Sequence, residues 1–289
     1  MSGKQVSPTV ALRLIASELK RLRQEHDTSR DKVEEAVELK RNALYRYESC
    51  ESPMQVPVAR AIFEHYGLSG SELDTMLDLV RASRNRKTRG LVKGLPDPSG
   101  VPAWFEDFVI LERDASRISN FELTLIPGRL QTEDYARAVL QAGVLGTDVE
   151  DHVRTRMERA AILDTPGAPE YWVILAESVL RRPVGGHAVM RAQLDHLATM
   201  ATRPNITIQV LPESIGAHIS MTASFTMFRF DVAPQFGVVY MEYLTGAIYR
   251  DDPAEVAVFD NGYRRLMSAA ASENESLRII NQTVKDHYS

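Results

Sequence analysis

Apolar residues in the first third of the chain recur at steps of three and four. Leu12, Ile15, Leu19 and Leu22 share one face of a helix predicted over Thr9–Glu25, with Thr9 as its N-cap. Ser29 or Asp31 opens a second helix with Val33, Ala36 and Val37 turned inward. A third is predicted over Arg41–Glu48, with Leu44 and Tyr47 on the core side. Pro53 and Pro57 break the pattern. A fourth helix then runs over Val58–Tyr66 and stops at Gly67, a residue suited to the left-handed conformation after a helix end. A fifth, Ser71–Arg81, buries Leu73, Met76, Leu77 and Val80.

Beyond residue 103 the period changes. Asn120–Ile126, Tyr171–Ala176, Ile206–Leu211, Phe225–Phe230 and Val238–Tyr243 are short runs rich in β-branched and aromatic residues, which reads as strand. Between and after them, Thr132–Ala142, Thr147–Leu163, Val189–Met200, Pro253–Ala270 and Glu273–Val284 read as helices. Thr147 and Glu150 have the spacing of a capping box. Phe225, Phe228 and Phe230 fall on both faces of one strand, so both faces must be covered. The expected fold class is multidomain: an all-α helix-turn-helix domain followed by a mixed α/β (α+β) domain. The cluster Gly94, Pro96, Pro98, Gly100 and Pro102, following the basic stretch Arg81–Arg89, places a boundary. The predicted division is 1–84, a linker over 85–102, and 103–289.

Charge sharpens this division. Residues 1–94 hold 17 Lys and Arg against 13 Asp and Glu, a net of +4; residues 95–289 hold 17 against 26, a net of −9. A basic front joined to an acidic back suits a nucleic-acid reader coupled to a module with a different task. No apolar run reaches the ~20 residues of a membrane helix, and Met1–Val10 lacks the build of a signal peptide. The single cysteine, Cys50, rules out an intrachain disulfide. The expected setting is cytoplasmic, nucleoid-associated when on DNA, with no membrane partner.

Ser29–Glu48 resembles the helix-turn-helix of the XRE (phage-repressor and Cro-like) family, and Pro53 with Ala59–Leu68 resembles the helix that follows it there. The resemblance implies that Arg41–Glu48 is the recognition helix, with Arg41, Asn42, Tyr45 and Arg46 facing DNA. Arg pairs bidentately with guanine and Asn with adenine, at about 1–3 kcal/mol of discrimination each. Arg30 and Lys40 are placed to touch phosphate, which positions without specifying. Three positions depart from the family pattern. Glu34 stands where a small residue is usual, Glu38 where Gly is usual in the turn, and Lys40 where Ser or Thr caps the helix. A Gly turn position often needs φ > 0. These changes predict modest affinity for DNA.

Five blocks of the back half, Ile126–Arg137, Leu175–Gly186, Met190–Leu194, Arg203–Pro212 and Val239–Glu242, resemble in order the C-terminal domain of actinobacterial WhiJ-like, antitoxin-like regulators. Arg129 stands where that family has an apolar residue, Ala161 where Gln often follows the Arg-rich helix, and Ser220 and Ala223 where glycines are common. The resemblance implies a transcriptional regulator, often encoded beside a small partner protein. Together the two resemblances imply a homodimer on double-stranded DNA with a palindromic operator, and a small protein partner or effector for the back domain. The alternative is an antitoxin-like protein-interaction module with weak or vestigial DNA binding.

Motifs for catalysis are lacking: there is no G-x-S-x-G, P-loop, dinucleotide fingerprint or H-E-x-x-H, and the seven histidines offer no zinc spacing. No enzyme, cofactor or metal is expected. The weak candidates for a ligand or partner site are Glu177, Arg181 and Arg182, just after a strand, joined by Glu242 at the end of another; a structural Glu–Arg ion pair is the favoured reading of them. Gly185-Gly186 before a helix reads as a turn or an anion seat.

Overall fold

The computed structural model describes residues 6–84, 103–143 and 149–288. The linker expected over 85–102, with Arg86, Lys87 and Arg89 of the basic stretch, lies outside the described residues, as does Thr147.

The front of the chain is all helix: α1 (Pro8–Glu25), α2 (Arg30–Ala36), α3 (Ala43–Glu48), α4 (Val56–His65) and α5 (Gly70–Ser83). Ser7 caps α1, its Oγ accepting the Val10 N–H at 3.3 Å, so Thr9 lies inside the helix rather than at its start. Pro8 follows the cap, where its missing N–H costs nothing. Pro57 likewise sits in the first turn of α4 and opens that helix instead of breaking the chain before it. Gly67 adopts φ +85° after α4, as its position suggested. Val10, Leu14, Ile15 and Leu19 of α1 pack with Val33, Leu44, Ile62, Phe63, Leu77 and Val80. Leu12 is only half-buried, and Ala36, at the end of α2, is exposed rather than inward.

The back domain is a six-stranded mixed sheet: β1 (Arg117–Glu122), β2 (Glu170–Ala176), β3 (Ile206–Leu211), β4 (Phe225–Arg229), β5 (Gly237–Tyr243) and β6 (Gly246–Arg250), in the order β3-β2-β1-β4-β5-β6. β1, β2 and β3 run parallel; β4, β5 and β6 continue from β1 as an antiparallel meander. Parallel neighbours need crossovers. Here they are made by α7 (Glu133–Gly143) with α8 (Val149–Ala160), and by α9 (Glu177–Arg181) with α10 (His187–Met200). A further helix, α6 (Ala103–Asp114), leads into β1, and α11 (Pro253–Ala269) and α12 (Glu273–His287) close the chain. The strand expected over Asn120–Ile126 starts earlier and ends at Glu122. The segment after it, toward Pro127, leaves the sheet for a 3-10 turn at Gly128–Leu130. The helix expected to run to Leu163 ends at Ala160 and continues as a 3-10 turn.

Both faces of the sheet are covered. Ile118, Val173, Leu175, Ile208, Phe228 and Val238 face a core shared with Leu111, Tyr135, Leu194, Leu197 and Ile280. Phe121, Ile174, Phe225, Met227 and Val239 face Val256, Tyr263 and Leu266 of α11. Phe225 and Phe228 thus fall on opposite faces, as the alternation requires.

α1 also carries the contact with the back domain. Arg13 pairs with Asp107 (2.7 Å) and Asp251 (3.3 Å) and lies over the Tyr249 ring; Lys20 pairs with Asp251 (2.9 Å). Ser17 donates to the Asp251 carbonyl (2.7 Å), and the Ser7 N–H to Asp114 (2.6 Å).

Candidate nucleic-acid interface

The turn between α2 and α3 determines which side chains reach outward. Glu38 adopts φ +54°, the left-handed conformation expected where the family pattern has Gly. Asn42 adopts φ +62° and is the residue before α3. α3 is therefore shorter than the recognition helix expected over Arg41–Glu48: it starts at Ala43, with Arg41 and Asn42 in the turn ahead of it.

The missing N-cap is supplied from across the turn. Glu34 of α2 is 5% exposed, and its carboxylate accepts the N–H of Asn42 (3.0 Å) and of Leu44 (2.8 Å). These are two of the N–H groups that a helix start leaves without partners, and a carboxylate there also complements the helix dipole. Glu34 therefore replaces the usual capping residue at the Lys40 end of the turn, and it points into the motif instead of toward solvent.

A second buried carboxylate locks the helices together. Glu48, at the end of α3, accepts from Arg23 Nε (2.7 Å) and Nη2 (3.2 Å) of α1 and from Arg30 Nε (2.7 Å) of α2. Arg30, expected as a phosphate contact, thus joins α2 to α3. It stays partly exposed, its guanidinium 5.6 Å from the Tyr45 ring centre.

Lys40, Arg41, Asn42, Tyr45 and Arg46 are all exposed, Tyr45 by 49%. Lys40, Arg41 and Arg46 make no ion pair among the described residues, whereas Arg13, Arg21, Arg23, Arg60 and Arg81 each face a carboxylate. A cleft of about 360 Å³ lined by Arg23, Ser29, Arg30, Asp31, Glu34, Asn42 and Tyr45 opens beside this face. Arg81 and Arg84 are exposed at the end of α5.

The back-domain candidates separate. Arg181 pairs with Glu177 (2.6 Å) and Glu213 (3.0 Å), and Glu177 accepts the Glu213 N–H (2.9 Å), an exposed local arrangement that raises the Arg181 pKa, chiefly through the bond to Glu177. Arg182 is exposed. Glu242 lies on β5, three strands from β2, or roughly 14 Å at the usual strand spacing. Its carboxylate accepts from the Tyr240 hydroxyl (2.8 Å). The four residues do not form one site. Gly185 and Gly186 form a left-handed turn (φ +73° and +90°) into α10; a Cβ on Gly185 would come within 2.8 Å of Val189.

The sequence reading missed a buried ionic cluster. Glu112 of α6 holds Arg159 (2.7 Å) and contacts Arg129. Burial alone would raise the Glu112 pKa, but the two guanidiniums outweigh it and hold it below the usual range. The signal was present in the sequence, since Arg129 interrupts an otherwise apolar stretch. No group of three or more His, Cys, Asp or Glu among the described residues is placed to hold a metal, and no helix among them is long and apolar enough to cross a membrane.

Comparison with known families decides the assignment of both halves. Residues 105–282, more than half of the chain, match the family described as Domain of unknown function (DUF5753). The chain belongs to the DUF5753 family. Residues 14–76 match a family described as Helix-turn-helix domain, so the DUF5753 domain here follows a helix-turn-helix. That match spans α2, the turn and α3, together with the Glu34 cap and the Glu48 clamp. No curated protein and no solved structure matches the chain.

Proposed function

We propose that this DUF5753 protein is a sequence-specific DNA-binding transcriptional regulator. The observation that carries the reading is the outward face of the helix-turn-helix: Lys40, Arg41 and Arg46 are exposed without carboxylate partners among the described residues, beside Asn42 and Tyr45. In the docking geometry of such motifs, Tyr45 and Arg46 on α3 enter the major groove while Arg41 and Asn42 reach from the turn. Arg41, Asn42 and Arg46 read base edges; Lys40 and the exposed side of Arg30 meet phosphate. Glu34 is buried, so its charge does not stand between this face and DNA.

The working form on this reading is a homodimer on a palindromic operator, with half-sites about 34 Å apart. The DUF5753 domain takes a small partner protein or effector, as the likeness to WhiJ-like regulators implies. Genome-wide DNA capture with the full-length protein tests the reading. It expects enriched sites sharing an inverted repeat; capture without any common sequence would overturn it.

A further inference from the structure

An open sheet has two edges, and each edge strand turns a row of backbone N–H and C=O groups away from its neighbour. The edges of this sheet are β3 and β6, and only one of them is sealed. On β3 the Val210 N–H donates to Ser276 Oγ of α12 (2.9 Å), the Val210 carbonyl accepts the Ala271 N–H (2.9 Å), and the Gln209 amide donates to the Ala271 carbonyl (2.9 Å). β6 has no such cover among the described residues. Tyr243 and Gly246 face each other across the turn Leu244-Thr245, and Met241 with Ile248 and Val239 with Arg250 follow in register. The pair that closes a two-residue turn is hydrogen-bonded, and bonded and non-bonded pairs alternate along the ladder. Ala247 and Tyr249 therefore turn their N–H and C=O groups outward, and no group among the described residues bonds to them.

Edges are commonly blunted by Lys, Pro, a bulge or a covering segment. Gly246–Arg250 contains no Lys and no Pro, and its register with β5 runs without a bulge. Ala247, Ile248 and Tyr249 are half-buried, and the turn beside them presents Tyr243 and Leu244 to solvent, Leu244 by 97%. The strand is also its own complement. Laid antiparallel on a second β6 with Ile248 at the two-fold axis, Ala247 meets Tyr249 of the other copy, and these two exchange their outward groups, a small side chain opposite a large one. On the other face Ile248 meets Ile248 at a non-hydrogen-bonded position, where side chains come closest. Gly246 lies opposite Arg250 of the other copy, whose guanidinium then reaches the Tyr243 ring lying over Gly246.

We propose that β6 is a dimerisation edge: two copies of this chain join β6 to β6, antiparallel about Ile248, so that the sheet continues from one copy into the other. The inference rests on the homodimer proposed above and names its surface. The test is sedimentation equilibrium of the full-length protein and its Ala247→Pro variant, together with disulfide trapping of Ile248→Cys in a Cys50→Ser background. Proline at 247 removes an N–H that bonds nothing within the chain, so the β5–β6 ladder keeps its bonds while the edge loses a donor. Wild type is expected to dimerise, and Ala247→Pro to raise the dimer dissociation constant at least about tenfold with an unchanged circular dichroism spectrum. Ile248→Cys is expected to form a covalent dimer on oxidation with diamide, because Cα atoms about 4.5 Å apart at such a pair are within disulfide reach. Leu244→Cys, although more exposed, is not, because in this register its two copies lie roughly 27 Å apart at about 3.4 Å per residue. Ile248→Cys keeps the test valid if Ala247→Pro fails to fold. Equal dimerisation by Ala247→Pro, or no cross-link through Ile248→Cys in a protein that dimerises, would overturn the edge and leave the homodimer reading standing; a wild type monomeric at every concentration would overturn both, with DNA binding still read separately.

Discussion

Glu34 shows how a residue that breaks a family pattern can serve the same structure by another route. Where a small side chain is usual, this chain places a carboxylate that accepts two N–H groups at the start of α3, and the usual capping residue is replaced by Lys40. Removing it leaves the buried Leu44 N–H and the part-buried Asn42 N–H without this partner, and an unsatisfied buried donor costs about 1–3 kcal/mol. Glu34→Ala is therefore expected to lower stability by that amount in urea unfolding, with Glu34→Gln, which keeps one acceptor oxygen, losing less. Equal stability of Glu34→Ala and wild type would show that the cap carries no weight. The left-handed turn at Glu38 was legible from the sequence, because the family position is one where Gly is normal. The role of Glu34 was not, because its partners are backbone groups eight and ten residues away, brought near only by the turn.

At the scale of elements, the five front helices and five of the six strands follow from apolar periodicity alone, since each has one face on a core. The elements that escaped are those whose pattern is mixed. β6 (Gly246–Arg250) is an edge strand, and α6 carries Glu112 and Asp114 as buried charges within an amphipathic run. The start of the helix expected over Arg41–Glu48 was misplaced by two residues because the left-handed Asn42 ends the turn. Glu112 also ties elements together: it joins α6 to α8 and to the Gly128–Leu130 turn through two buried arginines. Breaking a buried ion pair by removing one partner costs about 3–5 kcal/mol. Glu112→Gln leaves Arg129 and Arg159 buried without their counter-charge, and calorimetry is expected to show a loss of that order; a change within experimental error would contradict the role assigned to it. Of the candidate sites, the exposure of Lys40, Arg41, Asn42, Tyr45 and Arg46 was legible from the helix pattern and the family resemblance. The row of Asn120, Glu122, Thr226, Tyr240 and Glu242 was not, because its members are scattered from residue 120 to 242 and only strand register assembles them.

For the whole molecule, α1 links the two halves: one face packs within the helical front, and Arg13, Ser17 and Lys20 reach Asp107 and Asp251 of the back. The acidic half therefore meets α1 while the Arg41–Arg46 face stays open. Global stability should carry the signature of Glu122. Its folded pKa is raised, so its contribution is fully present below the ordinary carboxylate pKa and is lost as pH rises through about 7. Wild type is expected to lose stability relative to Glu122→Gln between about pH 4.5 and 7, by on the order of 1–3 kcal/mol at 1.36 kcal/mol per pKa unit. Parallel melting profiles of the two proteins across that range would contradict it. The central claim is that the open face reads DNA. It is tested most directly by the salt dependence of affinity for a captured operator, measured by fluorescence anisotropy for wild type and for the Arg41→Ala/Arg46→Ala double variant. The account predicts a steep fall of wild-type affinity with salt, and a variant at least about tenfold weaker whose slope is shallower by about 0.9 for each phosphate it no longer neutralises; equal affinity and equal slope for the two proteins would contradict it.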